Sequence, residues 1–233
     1  RSVSDSFAVS SADGTTTTVQ VTINGTNDPA ILGTGHAVLT ETNDILNTGG
    51  ALSISDVDSP ATFIAQKDVA GEYGTFGNDA AGAWTYATNG SPDRISEGKS
   101  VTDSFTVSSA DGTKTTVKVT INGTNDPAIL VPVAVSLDET NEPLKPTGKL
   151  SIKDVDSPET FVAQDKVSGK NGSFSLETSG QWSYVANSAF DELNVGRSVS
   201  DSFTVSSADG TTTTVQVTIN GTNDPAVMSS PRV

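Results

Sequence analysis

The chain contains no cysteine and a single histidine, and both shortages limit the kinds of cross-link, metal site and catalytic site that it can form. Without cysteine it has neither a disulfide framework nor a thiolate ligand for a metal. The lone histidine, His36, is not part of a motif that pairs a serine or cysteine nucleophile with a base, although folding could in principle assemble a Ser/His/Asp site from distant positions. We therefore predict that the protein is not an enzyme and has no catalytic residues.

Positive charge and long apolar runs are also scarce. The 233 residues include 13 Lys and Arg against 28 Asp and Glu, for a formal net charge of −15. This balance disfavours nucleic acid as a partner, because such affinity comes largely from cations that neutralise phosphates. It equally disfavours direct contact with an anionic membrane. No apolar run approaches the roughly 20 residues of a membrane-spanning helix, and we find no signal peptide.

What the sequence does contain is a repeat with a period of 98 residues. The stretch INGTNDPA stands at 23–30, 121–128 and 219–226. Residues 30–98 and 128–196 are identical at 31 of 69 positions, without insertion or deletion. Residues 1–28 match 197–224 at 27 of 28 positions. A fixed long period is the signature of a tandem array of similar units. Because the chain begins within such a unit, we expect it to be a fragment.

Alternation of apolar and polar residues predicts β-strands in every unit. In SFTVSSADGTKTTVKVTI, Phe105 and Val107 share one face before the Asp111-Gly112 turn, and Val117 begins a second alternating run after it. We find no amphipathic helical window. Five to eight short antiparallel strands per unit, broken by Gly, Asn, Asp and Pro, predict an all-β fold of tandem Greek-key β-sandwiches joined end to end. The predicted core residues recur at the repeat spacing: Leu52, Phe63, Phe76, Trp84, Tyr86, Phe105, Leu150, Phe161, Phe174, Trp182, Tyr184 and Phe203.

Proline sets the predicted domain boundaries, because it cannot donate to a strand ladder and marks edges or linkers. We place boundaries at Asp28/Pro29, Asp126/Pro127 and Asp224/Pro225. The predicted segments are 1–28 (the C-terminal hairpin of a preceding repeat), 29–126 and 127–224 (two β-sandwich repeats) and 225–233 (the start of a next segment or a tail). A different phase, in which each compact unit combines the hairpin with the strands after INGTNDPA, remains open.

Paired aspartates follow each predicted join at the same distance. Twenty-eight residues after Asp126 comes Asp154-Val155-Asp156, and the same spacing leads from Asp28 to Asp56-Val57-Asp58. Strand alternation places the two aspartates of a pair on one face, at the point where a core face reaches the rim. Each pair therefore offers two hard oxygen donors that point the same way.

The Asp-Gly turns at Asp111 and Asp209 could reach the same rim from the neighbouring hairpin. Any one of these residues taken alone is explained by turns and solvated loops. Gathered together they repel, by roughly 3 kcal/mol for two carboxylates about 5 Å apart at an effective dielectric of 20. Carboxylate, amide and carbonyl oxygens are the ligands of Ca²⁺. We therefore predict calcium as the cofactor.

Three motifs carry a resemblance to a known family: DSFTVSSADG, the following VKVTINGTNDPA, and the W-x-Y pairs Trp84/Tyr86 and Trp182/Tyr184. They resemble the VCBS repeat, a module strung in tandem through very large bacterial surface and secreted proteins. The resemblance covers essentially the whole chain. That module is similar to cadherin and bacterial immunoglobulin-like domains, which bind calcium between consecutive domains, so the resemblance implies cadherin-like or immunoglobulin-like sandwiches.

The resemblance also implies a ligand set. The linker Asn-Asp falls on Asn27-Asp28 and Asn125-Asp126, and the turn aspartate falls on Asp111 and Asp209, here with Asp and Gly adjacent. The early-strand glutamate corresponds to Glu41 and the mid-domain acidic motif to Asp93. The full set of predicted metal ligands is Asn27, Asp28, Glu41, Asp56, Asp58, Asp93, Asp111, Asn125, Asp126, Asp154, Asp156 and Asp209.

The predicted function is a calcium-stabilised spacer in a large bacterial adhesin or biofilm protein of the repeat-in-toxin (RTX) type, located outside the cell. It would be monomeric, contact only neighbouring repeats of its own chain, and project a distal domain whose ligand is unknown. The glycine-rich nonapeptides of repeat-in-toxin proteins are absent, which favours a stalk. Two alternatives remain: a carbohydrate- or protein-binding adhesin module, which an exposed aromatic platform would favour, and an accessory domain of a secreted enzyme.

Overall fold

The computed structural model describes residues 2–224 and contains twenty β-strands and no helix in that range. No described segment could therefore cross a membrane as a helix. Of the described residues, 2–92 and 100–122 form one compact unit, and 93–99 with 123–224 form a second. We call these unit 1 and unit 2. The predicted segment 225–233 lies outside the described residues.

The strands fall into an N-terminal hairpin and two sets of nine. The hairpin consists of β1 (Ser2–Ser10) and β2 (Thr16–Asn24). The first set is β3 (Ile31–Leu32), β4 (Gly35–Thr40), β5 (Asn47–Ala51), β6 (Ile54–Ser55), β7 (Gln66–Ala70), β8 (Gly74–Asn78), β9 (Ala83–Thr88), β10 (Ser100–Ser108) and β11 (Lys114–Asn122). The second set is β12 (Ile129–Leu130), β13 (Val133–Asp138), β14 (Thr147–Lys149), β15 (Ile152–Lys153), β16 (Gln164–Ser168), β17 (Gly172–Leu176), β18 (Gln181–Ala186), β19 (Ser198–Ser206) and β20 (Thr212–Asn220).

Each set builds a sandwich of two main sheets. In unit 1 the four-stranded sheet has the order β5-β9-β8-β7, and the three-stranded sheet has the order β10-β11-β4. The four-stranded order is a Greek key, because β7, β8 and β9 form a meander and β5 lies beside β9. Unit 2 repeats this with β14-β18-β17-β16 and β19-β20-β13. The short pairs β3-β6 and β12-β15 flank the main sheets.

The core lies between the two main sheets of each sandwich, as the alternation predicts. In unit 2 the rings of Phe174 on β17 and Phe203 on β19 stack with centroids 4.8 Å apart. In unit 1 Phe76 and Phe105 stack at 4.6 Å. All twelve predicted core residues are buried. The prediction of an all-β tandem sandwich is confirmed.

Two details of the strand prediction are wrong. Each repeat has nine strands, not five to eight, because two-residue strands and glycine-rich strands carry no alternation. Nor are all pairs antiparallel: β4 pairs in parallel with β11, from Gly35↔Val117 to Thr40↔Asn122, and β13 pairs in parallel with β20. Alternation identifies which face of a strand is buried, but it does not identify the neighbouring strand.

A buried aspartate anchors the three-stranded sheet of each repeat to a loop of the other sheet. In unit 2 the Asp201 carboxylate accepts hydrogen bonds from the backbone N–H of Lys170 (3.0 Å) and Asn171 (2.9 Å) and from the hydroxyl of Tyr184 (3.0 Å). Asp103 in unit 1 accepts the equivalent bonds from Glu72, Tyr73 and Tyr86. Burial, with the neighbouring carboxylate, raises the pKa of the Tyr184 hydroxyl.

The hairpin β1-β2 has the same register as β10-β11 but a different environment. Ser2 pairs with Asn24 as Ser100 pairs with Asn122. No described strand outside the hairpin pairs with β1 or β2, and every residue of both strands is exposed. The domain boundaries proposed from proline remain a prediction.

Candidate metal sites

In unit 1 the predicted Asp-x-Asp pair lies in a turn directly after β6. The Asp56 Oδ1 atom accepts the N–H of Asp58 (3.1 Å) and of Ser59 (2.8 Å), which closes the turn. The expectation that the pair shares one strand face is therefore wrong, because β6 ends at Ser55 and the aspartate side chain bonds the backbone in place of a neighbouring strand. The N–H of Asp28 donates to the Asp58 carboxylate at 3.2 Å.

The hairpin-turn aspartate Asp111 joins this group. Its carboxylate accepts hydrogen bonds from the N–H of Ala30 (3.0 Å) and from the side-chain amide of Asn27 (3.3 Å). Within its own turn it also accepts the hydroxyl of Ser109 and the N–H of Thr113. Bonds from Ser109 and Thr113 hold the pKa of Asp111 well below its usual range. The structure thus brings Asn27, Asp28, Asp56, Asp58 and Asp111 together, and the hydrogen bonds of Asp111 also attach the closing turn to the start of the repeat.

Unit 2 repeats this arrangement 98 residues later. The Asp154 Oδ1 atom accepts the N–H of Asp156 (3.1 Å) and Ser157 (2.7 Å). The N–H of Asp126 donates to Asp156 at 3.3 Å, and the Ser157 hydroxyl donates to the side-chain oxygen of Asn125 at 3.3 Å. Here again the turn after the strand, and not strand alternation, positions the pair.

Asp209 completes the unit 2 group from the β19-β20 turn. It accepts the N–H of Ala128 at 2.9 Å and the hydroxyl of Thr211 at 2.6 Å. Burial pushes the pKa of Asp209 upward, but hydrogen bonds from Ser207, Thr211 and Ala128 outweigh it and leave the pKa well below its usual range. Asp93 also lies in unit 2, and one of its carboxylate oxygens is within 4.8 Å of one of Asp126.

Two oxygens of this group are buried without a partner. Among residues 2–224, neither Asp154 Oδ2 nor Asp156 Oδ2 has a hydrogen bond, and neither residue pairs with a described Lys or Arg. Burial raises the pKa of Asp156 and the adjacent Asp154 raises it further, against the lowering effect of the hydrogen bond from the backbone N–H of Asp126. A buried carboxylate oxygen without a donor is unfavourable by several kcal/mol in order of magnitude unless a proton or a cation neutralises it.

A third acidic group, which the sequence analysis missed, lies at the other end of unit 2. Glu139 follows β13 and is 3% exposed. Its Oε1 atom accepts the N–H of Thr222 (2.8 Å), whereas Oε2 is buried with no partner among the described residues. Burial raises the pKa of Asp224, and the charges of Glu139 and Asp191 raise it further.

An open cleft of about 310 Å³ adjoins this third group and is lined by Asp191, Asn223 and Asp224, among others. The repeat period contained the signal for these residues. Adding 98 to Glu41, Asp93, Asn125 and Asp126 gives Glu139, Asp191, Asn223 and Asp224.

Glu41 occupies the position in unit 1 that Glu139 occupies in unit 2. It directly follows β4, is 3% exposed, and its N–H donates to the carbonyl of Asn122 at 2.8 Å. A buried glutamate thus directly follows the strand in both repeats. The parallel pairing of β4 with β11 and of β13 with β20 sets the position of this glutamate.

The chemistry of these three groups fits a hard cation. They offer carboxylate oxygens and asparagine carbonyls, and the histidine and cysteine ligands that transition metals favour are absent from them. Among the described residues, no positive charge pairs with the buried oxygens of Asp154, Asp156 and Glu139 to make their burial favourable. The residues present therefore fit a calcium ion.

Tandem all-β sandwiches with acidic groups at the ends of each repeat define a class of modular, cadherin-like proteins. The family model of the bacterial cadherin-like domain matches residues 27–123 and again 125–221. The chain belongs to this family. Domains of this kind are typically extracellular, non-enzymatic modules of adhesion or structure, and they generally bind calcium.

Comparison with curated proteins gave no match, whereas solved structures gave several. Extracellular domains 3–6 of protocadherin gamma B7 share 11% identity over 94% of this chain and 56% of that one, with a TM-score of 0.48. Domains 3–6 of protocadherin gamma B2 share 10% over 94% and 57%, with a TM-score of 0.47. Mouse cadherin-23 EC22–24 shares 10% over 94% and 74%, with a TM-score of 0.47. The chain spans little more than half the length of the two protocadherin structures.

Proposed function

We propose that the chain is a pair of calcium-stabilised extender repeats, of the VCBS type, from a large bacterial surface or secreted adhesin of the repeat-in-toxin class. Their role is mechanical: they project a distal binding domain for adhesion or biofilm formation. The observation that carries the proposal is the buried, unpartnered oxygens of Asp154 and Asp156 among the described residues. Two buried like charges are unfavourable unless a proton or a cation neutralises them, and a calcium ion would neutralise both carboxylates at once.

We propose three groups of calcium ligands. The first is Asn27, Asp28, Asp56, Asp58 and Asp111 in unit 1. The second is Asp93, Asn125, Asp126, Asp154, Asp156 and Asp209 in unit 2. The third is Glu139, Asp191, Asn223 and Asp224, also in unit 2. Glu41 is proposed as a ligand because it is equivalent to Glu139 in the repeat.

The remaining parts of the proposal follow from this role. The chain is extracellular, monomeric, and in contact with neighbouring repeats of the same protein, and it binds neither nucleic acid nor membrane. A carbohydrate-binding module is less well supported, because Trp84 and Trp182 are 3% and 2% exposed and form no surface platform. Among the described residues, the aromatic side chains that reach the surface are Phe7 on the exposed hairpin and the half-buried Tyr73, which lie on different parts of unit 1.

A calcium titration tests the proposal. Extracellular calcium sites bind at about 10⁻⁴–10⁻³ M, and ligand at a hundredfold over the dissociation constant stabilises the folded state by about 2.7 kcal/mol per site. We expect heat of binding in calorimetry and a higher melting temperature in calcium than in chelator, with Mg²⁺ a poor substitute. A melting temperature that calcium and chelator leave equal would contradict the proposal.

A matched pair of variants separates calcium binding from a general charge effect. Asp156→Asn should abolish the calcium response of the second group and leave that of the third, and the metal-free protein should be as stable as before or more stable, because the change removes one of the repelling carboxylates. Asp165→Asn removes the same charge from an exposed residue of β16 and should leave the calcium response unchanged. Equal losses in the two variants would indicate that calcium acts only by screening the net charge.

A further inference from the structure

The N-terminal hairpin β1-β2 presents a fully exposed apolar face. Phe7 is 53% exposed, and Val19 is 48% exposed. Val3, Val9, Val21 and Ile23 are also exposed on these strands. The outer backbone edge of β2 is unpaired among the described strands. Within residues 2–224, the hairpin thus has neither a cover for its side chains nor a partner for its outer edge.

The equivalent hairpin β19-β20 shows what covers this face. Phe203, the counterpart of Phe7, is 5% exposed and stacks on Phe174 at 4.8 Å. Val215, the counterpart of Val19, is fully buried. The outer edge of β20 pairs in parallel with β13. We call the part of the repeat that provides these contacts, residues 127–196, the repeat body.

The two hairpins have nearly the same sequence. Residues 1–28 and 197–224 differ at one position, Ala8 against Thr204, and Thr204 is exposed on β19. Every side chain that β19-β20 uses to contact its repeat body is therefore present in β1-β2. This includes Asp5, whose counterpart Asp201 accepts the backbone N–H groups of Lys170 and Asn171.

We propose that β1-β2 is a docking element for the body of a third cadherin-like repeat. Phe7 and Val19 would cover the core of that body, β2 would pair in parallel with its β13-like strand, and Asp5 would accept N–H groups of its β16-β17-like loop. A second copy of this chain is a poorer partner, because both of its repeat bodies already carry their own hairpins.

The test supplies a repeat body to the hairpin. A copy of residues 127–196 is placed ahead of Arg1 in the full chain, which restores the Gly196–Arg197 junction because Arg1 is equivalent to Arg197. Amide hydrogen exchange of β2 should slow on the order of a hundredfold or more relative to the ungrafted chain, and a third unfolding transition should appear. Exchange rates in β2 that stay as fast as in the ungrafted chain would overturn the proposal.

Phe7→Ser separates docking from a general effect on folding. In the ungrafted chain it should leave both repeats unchanged, since Phe7 is 53% exposed on a strand whose residues are all exposed. In the grafted chain it should remove the new protection of β2, as Phe203→Ser should unfold the second repeat in either chain. Ala8→Thr, which makes the two hairpins identical, should change nothing.

Sedimentation measures whether the hairpin binds a second copy of this chain instead. If the ungrafted chain forms a dimer that Phe7→Ser dissolves and that the graft leaves intact, the hairpin binds a second copy of this chain and the proposal is wrong. If the ungrafted chain is a monomer, a second copy is excluded as the partner, and if the graft dissociates a dimer, the repeat body is the preferred partner.

Discussion

At the scale of single residues, the sequence predicted the members of two acidic groups but not the hydrogen bonds that each member makes. Asp111 and Asp209 are predicted from the sequence as turn residues and as ligands, and the structure adds that each carboxylate fixes its turn by accepting a backbone N–H group. The buried Asp103 was missed, although it shares the parity of Phe105 and so falls on the core face. Its place in the core depends on the N–H groups of Glu72 and Tyr73, which lie 31 and 30 positions away along the chain, so no local pattern reveals them.

The hydrogen bond from Tyr184 to the buried Asp201 gives a residue-scale prediction. Tyr184→Phe removes one donor from a buried carboxylate and should destabilise unit 2 by about 1.5–3 kcal/mol. Urea unfolding followed through amide signals of unit 2 would measure it. Tyr73→Phe is the control, because its hydroxyl bonds only the exposed Glu72 carboxylate, and should change stability by no more than about 0.5 kcal/mol.

The same tyrosine predicts a dependence on alkaline pH. Burial and Asp201 raise the pKa of Tyr184 in the folded state, so the unfolded state loses this proton first. The contribution to stability is fully present below the unfolded pKa of about 10 and is lost as the pH rises through the folded value. Unit 2 should therefore lose stability above about pH 10 more steeply than it does in Tyr184→Phe. If stability falls equally steeply with pH in the parent protein and in Tyr184→Phe, the pKa of Tyr184 does not change on folding and the prediction is wrong.

At the scale of elements, strands with strict alternation were predictable and glycine-rich ones were not. Strand β5, with the sequence NTGGA, carries no apolar pattern. Its Gly50 is needed because an added Cβ would lie 2.9 Å from the Trp84 ring, and Gly148 stands in the same relation to Trp182 at 2.6 Å. Packing against an indole on the next strand selects these glycines, so the reason for the strand lies outside its own sequence.

The closing turn of a hairpin gives an element-scale prediction. Gly210 has a φ of +90°, and an added Cβ would meet nothing within 4 Å. Gly210→Ala should therefore destabilise unit 2 through backbone strain alone, by about 1–2 kcal/mol, and Gly210→Asn should lose less because Asn tolerates this conformation. Thermal unfolding measures both. Gly90→Ala, at an equally open position without a left-handed φ, should be neutral or stabilising, and an equal loss there would contradict the argument from strain.

At the scale of the whole molecule, the repeat is what the sequence predicted best. Identical spacing was enough to predict the two sandwiches, their cores and two of the three acidic groups. The third group, around Glu139, was missed because we assigned Asn-Asp ligands only at joins that are followed by a complete repeat. What the period could not reveal is the pairing of strands far apart in the chain, such as β13 with β20, since pairing depends on the assembled sheet.

Two deletions of nearly identical sequence should have opposite results, and this is the whole-molecule prediction. Removing residues 1–28 takes away a hairpin whose apolar side chains are exposed, so both repeats should keep their cooperative unfolding while the calcium stoichiometry falls by at most one site. Removing residues 197–224 takes away Phe203, Val215 and the partner of β13, so unit 2 should unfold. Calorimetric melting with and without calcium measures both outcomes. If the first deletion instead unfolds the segment 30–98, the hairpin belongs to the first repeat, and the Asn-Asp-Pro join lies inside a domain.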